Sequence, residues 1–303
     1  MPQDRLTKDQ RREAARESAR IEREKQKRRD RRNRIFLIGG STLAILAIFA
    51  VVALVLVNAN KPEGPGPANM ASDGIVITGS EAGLTPLETD AIPAGGDPTP
   101  TDSSSLDAPL LITTYIDYRC PFCNEFETAN AASIEQLVQS GVAALEVHPI
   151  SILDRSSAGT KYSTRSANAA ACVANFEPDA FLDVNAALFA AQPPEETAGL
   201  TNNELADIVS GAGVTSEDVA SCIRDETFTG WVTAATNRAL ADPALQDADG
   251  NFGTPRVVVN GELYTGAPGD AAACQAFVGQ VYAATGGPAE TPAPTPTATT
   301  PAG

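Results

Sequence analysis

A run of 23 residues without a charge, residues 35–57, divides the chain into two parts of opposite charge. The 34 residues before it hold 14 Lys or Arg and 7 Asp or Glu, whereas the residues after it hold 8 and 31. At about 1.5 Å per helical residue, such a run spans roughly 30 Å of hydrocarbon. We therefore predict a transmembrane helix over residues 35–57.

The basic head, residues 1–34, sets the expected orientation of this helix. Lys and Arg beside a membrane span favour the cytoplasmic side, so we place the N-terminus in the cytoplasm and everything after residue 57 outside it. A cleaved signal peptide is the alternative, but its apolar region normally has about 7–15 residues. We expect a single-pass protein of the cell membrane whose head is a solvated, charged helix. The acidic outer part lacks the clustered cations that phosphate needs, so no nucleic-acid partner is predicted.

Composition divides the outer part into a linker, a domain and a tail. Residues 58–107 are rich in Pro, Gly, Ser, Thr and Asp, which predicts a disordered linker, although the apolar residues 75–77 are able to add one strand to the domain. Residues 285–303 are rich in Pro and Thr and are expected to be disordered. Residues 108–284 remain as one globular domain.

The pattern within this domain is α/β. Residues 110–116 and 142–152 are rich in apolar and β-branched residues and predict two strands, and the helix between them has Pro121 at its start and Gly141 at its end. Helical segments follow from about residue 163 to 245. A hairpin turns at Asn260 and Gly261, and a last helix closes the domain. We predict a mixed sheet flanked by helices, with an inserted helical block.

Cys120 and Cys123, in the sequence Cys-Pro-Phe-Cys, carry the clearest chemical signal. A zinc site needs further ligands, yet no second Cys-x-x-Cys exists and the only histidine is His148, so we predict no metal. The pair follows a strand and opens a helix, where unpaired N–H groups and the helix dipole favour a thiolate. We expect Cys120 to attack a substrate and Cys123, one turn further in, to resolve the mixed disulfide.

Other chemistry has little support in the sequence. A single histidine leaves no general base for a Ser–His–Asp arrangement, and we expect His148, beside Pro149 at a strand end, to be structural. No glycine-rich phosphate loop is present. We predict no bound cofactor, and we expect Trp231 to lie in the core or to line a groove.

These motifs resemble those of the DsbA-like thiol–disulfide oxidoreductases of the thioredoxin-fold superfamily, of the membrane-anchored bacterial type. The matching residues are Tyr115-x-Asp117-Tyr118-x-Cys120-Pro121-x-Cys123 and, before a Val-rich strand, Gly253-Thr254-Pro255. The similarity covers about residues 108–284. It implies a thioredoxin-like fold with a helical insertion at about residues 163–245.

The resemblance also implies a role for individual residues. Pro255 corresponds to the family's cis-proline, which packs against the disulfide, and Thr254 to the residue whose backbone pairs with a bound substrate strand. Pro121 and Phe122 are then expected to contact the substrate. Asp117 matches an acidic position that either relays a proton from Cys123 or caps the helix; both interpretations stay open.

Three further cysteines lie outside the pair. Cys172 and Cys222 are each compatible with a small buried apolar side chain, but the resemblance and an oxidising compartment favour a structural disulfide between them. Cys274 is then unpaired, and we expect it to be a buried, unreactive thiol.

The resemblance implies exchange of disulfides with exported proteins, and a membrane redox partner that restores the pair. Phe122 stands where the strongly oxidising members carry histidine, so we expect a less oxidising pair. Formation of disulfides is the favoured function. The alternatives are a disulfide reductase or isomerase on the same scaffold, and a non-catalytic thioredoxin-fold binding module.

Overall fold

The computed structural model describes residues 64–80 and 83–286, together with residues 17, 20, 22, 23 and 25–29 of the basic head, which are helical and exposed. The chain separates into two compact units, residues 1–61 and 62–303. The predicted transmembrane helix lies outside the described residues, as do residues 287–303 of the predicted tail. Within the part that is described, no helix is long and apolar enough to cross a membrane.

Six strands form one mixed sheet in the second unit. They are β1 (Ile75–Ser80), β2 (Gly83–Pro86), β3 (Leu110–Ile116), β4 (Ala143–Pro149), β5 (Arg256–Val259) and β6 (Glu262–Leu263), in the spatial order β2-β1-β4-β3-β5-β6. Only β3 and β4 are parallel, and the helix between them makes the crossover that parallel neighbours require. The hairpin of β5 and β6 then continues the sheet antiparallel to β3.

Both faces of the central strands are covered. Leu110, Ile112 and Ile116 of β3 belong to the main apolar core, whereas Leu111 lies in a smaller cluster on the other face. Alternate residues of a strand point to opposite faces, so this division follows from the sequence Leu-Leu-Ile-Thr-Thr-Tyr-Ile. The end of β3 is thereby held rigidly in the middle of the sheet, where the next residues lead to the cysteines.

Seven α-helices complete the unit among the described residues. The first, α1, connects β3 to β4, the next five form the inserted block, and the last packs against α1. Their bounds are α1 (Pro121–Gln139), α2 (Tyr162–Phe176), α3 (Phe181–Ala190), α4 (Asn202–Gly211), α5 (Glu217–Arg224), α6 (Thr229–Ala241) and α7 (Ala271–Ala284). The predicted mixed sheet, helical insertion and closing helix are therefore confirmed.

The prediction of a disordered linker over residues 58–107 is wrong for residues 64–80 and 83–107. Met70 and Ile75 are fully buried, and β1 pairs with β4 through Ile75 opposite Val147. Asp73 accepts hydrogen bonds from Trp231 and Arg238 of α6, at 3.0 and 2.6 Å. A few well-placed apolar residues were enough to order a segment whose average composition predicts disorder, and the strand allowed at residues 75–77 is present.

A disulfide joins α2 to α5. Cys172 and Cys222, 50 residues apart in sequence, are bonded with their Cα atoms 5.8 Å apart, which is the pairing that the resemblance implies. Both cysteines are buried in the main core. The bond therefore holds the inserted helices together from the inside.

Removal of this disulfide is expected to destabilise the domain. The double variant Cys172→Ala, Cys222→Ala should lose about 2–4 kcal/mol of unfolding free energy, because a 50-residue loop is no longer closed in the unfolded chain. Urea denaturation of the two proteins would measure the loss. The single change Cys274→Ala at the unpaired cysteine is the control, and a loss no larger than in that control would contradict the prediction.

Candidate active site

Cys120 and Cys123 lie at the junction between the end of β3 and the start of α1. Cys120 occupies the N-cap position of α1 and Pro121 its first turn, and no side chain caps the helix there. The Cys120 carbonyl accepts the N–H groups of Cys123 and Asn124, at 3.1 and 3.3 Å, which winds the pair into the first turn. Cys120 is 4% exposed, Cys123 is fully buried, and Phe122 between them is 57% exposed. A partner can therefore reach Cys120 but not Cys123.

The two thiols differ strongly in acidity. Hydrogen bonding from the Cys123 thiol, together with the first N–H groups of α1, outweighs the effect of burial and lowers the pKa of Cys120 to about 6. Burial, and then the hydrogen bond to Cys120, raises the pKa of Cys123 well above its usual range. At neutral pH, Cys120 is the nucleophile of the pair and Cys123 holds its proton.

Thr254 and Pro255 lie beside Cys120. In its protonated form the Cys120 thiol donates to the Thr254 carbonyl at 3.2 Å, across 134 residues of sequence, and the peptide bond between Thr254 and Pro255 is cis. The Thr254 N–H precedes β5 and makes no hydrogen bond within the described part of the chain. This backbone is therefore free to pair with an extended polypeptide whose cysteine reaches Cys120.

Asp117 is fully buried below the pair. Its backbone N–H points at the Cys123 sulfur, 3.5 Å away, and its carboxylate accepts the N–H groups of Arg119 and Leu153 at 2.8 and 2.9 Å. Neither of these N–H groups belongs to α1, so the helix-cap interpretation is wrong. Burial raises the pKa of Asp117 to about 7 despite these hydrogen bonds, which suits a group that takes or gives a proton near neutral pH.

Arg119, which the sequence reasoning did not single out, is a fully buried cation next to Cys120. Its guanidinium donates to the carbonyls of Ser156 and Thr197, both at 2.6 Å, and lies 5.4 Å from the ring centre of Tyr162. No carboxylate of the described residues forms an ion pair with it. Arg119 thus ties the turn before the cysteines to two loops of the inserted block. An arginine directly before Cys120 in a strongly acidic domain is the sequence feature that could have identified this residue.

Gln192, at the end of α3, also holds this turn. Its amide donates to the carbonyls of Tyr118 and Cys120 at 3.0 Å each, and accepts from Asn124 at 3.3 Å. No sequence signal identifies it, because 72 residues separate it from Cys120. The inserted block is therefore part of the site's framework.

The remaining residues named from the sequence lie away from the pair. Trp231 is buried and donates to Asp73, and Cys274 is a buried free thiol whose pKa is raised by burial. His148 lies in β4, stacked on Tyr115 with ring centres 4.3 Å apart, and 3.4 Å from a carboxylate oxygen of Glu146. These contacts are structural, as expected for all three residues.

The architecture and the site agree with comparisons to known proteins. Residues 104–278 match the family model described as Thioredoxin. The crystal structure of oxidised DsbA from Mycobacterium tuberculosis shares 27% identity with this chain, with a TM-score of 0.50 over 69% of this chain and 92% of that one.

Two further solved structures show the same fold at 18% identity and a TM-score of 0.50. BdbD from Bacillus subtilis aligns over 74% of this chain and all of its own, and MdbA from Corynebacterium diphtheriae, a thiol–disulfide oxidoreductase, over 73% and 95%. Comparison with curated protein sequences gave no match. The family match covers more than half of the chain and contains the Cys120–Cys123 pair, so the chain belongs to the thioredoxin family and is a DsbA-like thiol–disulfide oxidoreductase.

Proposed function

We propose that the protein is anchored in the cell membrane by residues 35–57 and forms disulfides in exported polypeptides on the outer side. The observation that carries the direction of the reaction is the position of Cys120 at the uncapped N-terminus of α1, beside the fully buried Cys123, which lowers the pKa of Cys120 to about 6. A stabilised thiolate stabilises the reduced pair, and a pair whose reduced form is stable readily gives up its disulfide. The uncharged run and the basic head before it support the location.

The reaction begins with the oxidised pair. A thiolate of the substrate attacks the Cys120 sulfur, the bond between Cys120 and Cys123 breaks, and a mixed disulfide forms. The Cys123 sulfur leaves with the electron pair and takes a proton, for which Asp117 is the buried donor. A second substrate thiolate then attacks the substrate's own sulfur in the mixed disulfide. This releases the Cys120 thiolate, so the substrate loses two electrons and the cysteine pair gains them.

The N–H and C=O groups around Thr254 position the substrate in this scheme. An extended chain that pairs with the free Thr254 N–H brings its cysteine beside Cys120, because the Thr254 carbonyl already lies 3.2 Å from that sulfur. The exposed ring of Phe122 offers the substrate an apolar contact on the other side of Cys120. The cycle closes when a membrane redox partner takes the two electrons from the pair.

A reductase or isomerase on the same scaffold is the second candidate. Phe122 favours it, since a phenylalanine ring brings neither a charge nor a side-chain hydrogen bond to the Cys120 thiolate. A tenfold change in the exchange equilibrium corresponds to only about 30 mV for a two-electron couple, so small differences around the pair set the direction.

A redox titration of the full-length protein against glutathione decides between the two. We expect a reduction potential between that of the strongly oxidising DsbA, about −120 mV, and that of thioredoxin, about −270 mV. The variant Phe122→His is expected to raise the potential, because a histidine adds a charge that stabilises the thiolate. A potential at or below that of thioredoxin would overturn the proposed formation of disulfides and favour the reductase.

A further inference from the structure

A cavity of about 410 Å³ lies beside the segment that leads to Thr254. It opens between the turn that precedes α2, the outer side of α6, and the segment that leads to Thr254. Its lining includes Ile152, Arg155, Lys161, Leu240 and Phe252. None of them takes part in the exchange chemistry described above.

Two cations of this cavity have no partner. Arg155 and Lys161 are both exposed, and neither side chain makes a hydrogen bond or an ion pair within the described residues. Asp154, which also lines the cavity, accepts hydrogen bonds from the N–H and hydroxyl of Thr164, at 2.9 and 2.6 Å, and makes no ion pair with either cation. The cavity lining therefore carries two cations and one carboxylate, an excess of one positive charge.

Free cations are rare in this domain. Residues 64–286 contain seven Lys or Arg and 29 Asp or Glu. Four of the seven are held by hydrogen bonds to other groups of the domain, namely Arg119, Arg165, Arg238 and Arg256. Of the three others, Arg155 and Lys161 line this one cavity, and only Arg224 lies elsewhere.

The cavity lies within reach of a bound substrate. Phe252, at its edge, precedes Thr254 by two residues, which is at most about 7 Å of chain. In an extended polypeptide, residues two apart point to the same side and lie roughly 7 Å from each other. If a substrate cysteine reaches Cys120 beside Thr254, the residue two positions away is therefore close enough to enter this cavity.

The residues that line the cavity fit a side chain with an apolar stem and a charged end. Leu240 is 42% exposed and, with Ile152 and Phe252, supplies apolar surface, while Arg155 and Lys161 supply the charge. We infer that this cavity binds an acidic residue, glutamate above all, two positions from the reacting cysteine of the polypeptide substrate. The inference rests on the proposed function, since it names a class of substrate for the same site.

Peptide exchange rates test this inference, because the overall charge of the domain predicts the opposite preference. A domain with 29 acidic and seven basic residues attracts basic peptides at long range. Three peptides with one cysteine, and Glu, Gln or Lys two positions from it, would be reacted with the oxidised full-length protein. We expect the Glu peptide to react about fivefold faster than the Gln peptide, as two exposed ion pairs allow, and the advantage to shrink at high salt.

Matched variants distinguish an effect of the cavity on the exchange rate from an effect of the overall charge of the domain. Arg155→Gln with Lys161→Gln should abolish the preference for Glu and leave the rate with the Gln peptide unchanged, whereas Arg224→Gln should keep the preference. Equal rates for the three peptides, a preference for Lys, or an equal effect of Arg224→Gln would overturn the inference. The inference would also be overturned if the double variant kept its preference for Glu but lost binding to vesicles of anionic lipid, because the two cations would then bind the membrane.

Binding measurements keep the inference separate from the proposed function. The same peptides with serine in place of cysteine would be titrated into the protein and followed by fluorescence anisotropy. Tighter binding of the Glu peptide, lost in the double variant, would support the cavity even if no disulfide exchange were found. Absence of exchange with all three cysteine peptides would overturn the proposed function alone.

Discussion

Replacing Cys120 by alanine is expected to abolish disulfide exchange entirely, whereas replacing Cys123 by alanine should leave a protein that traps its substrates. Cys120 is the thiol that a partner can reach, and its pKa of about 6 makes it a thiolate at neutral pH. Without Cys123 the mixed disulfide has no internal thiol to resolve it. Gel analysis without reductant would show a covalent adduct between the Cys123→Ala protein and a peptide disulfide, and none for Cys120→Ala.

The fifth cysteine provides the control for this experiment. Cys274 is a free, buried thiol whose pKa is raised by burial, so Cys274→Ala should exchange disulfides at the rate of the unchanged protein. Adducts formed through Cys274, or exchange that persists in Cys120→Ala, would contradict the assignment of Cys120 as the nucleophile.

Asp117→Asn should stabilise the folded protein at alkaline pH. The carboxyl is fully buried and its pKa is raised to about 7 from an ordinary value of 3.8. Below about pH 4 it is protonated in both states and has no effect on stability. As the pH rises from about 4 to 7, only the unfolded state loses the proton, so stability falls. The difference in pKa corresponds to about 4 kcal/mol at pH 8, which is the upper limit of the gain that asparagine can bring.

Urea denaturation at pH 4 and pH 8 measures this effect. Relative to the unchanged protein, we expect Asp117→Asn to gain about 2–4 kcal/mol of unfolding free energy between pH 4 and pH 8. The exposed Asp249 offers a control, since Asp249→Asn should show no such gain. The same Asp117 variant should resolve mixed disulfides more slowly, because Cys123 then lacks its buried proton partner. A gain that is equal at both pH values would show that Asp117 does not titrate near neutrality.

The sequence was a good guide to elements with a strong local pattern. The strand predicted at residues 110–116 coincides with β3, and the hairpin follows from Asn260, whose side chain accepts the N–H of Leu111 and donates to the carbonyl of Pro109. The segments over residues 64–80 and 83–107 were mispredicted, because their few buried residues are diluted among Pro and Gly. Their order comes from contacts with β4 and α6 that no local pattern reveals.

The candidate site divides in the same way. Cys120, Cys123, Thr254 and Pro255 belong to motifs that the sequence displays, and the structure brings them together. In the sequence, Arg119 stands out only as a cation in an acidic domain. Gln192 does not stand out at all, because its role depends on how the inserted block packs against the turn before the cysteines. The side chains that hold the site are therefore harder to predict than those that react.

The pairing of β1 with β4 has a consequence for the solubility of shortened forms of this protein. The family match begins at residue 104, so a protein cut there would keep the cysteines and lose β1 and β2. The side of β4 that now bonds to β1 would then expose a row of unpaired N–H and C=O groups on an otherwise buried strand. Open edges of this kind pair with those of other molecules and cause aggregation. In the intact chain, the edge strand on this side of the sheet is β2. Because β2 has only four residues, it offers few unpaired N–H and C=O groups to a second copy of the protein.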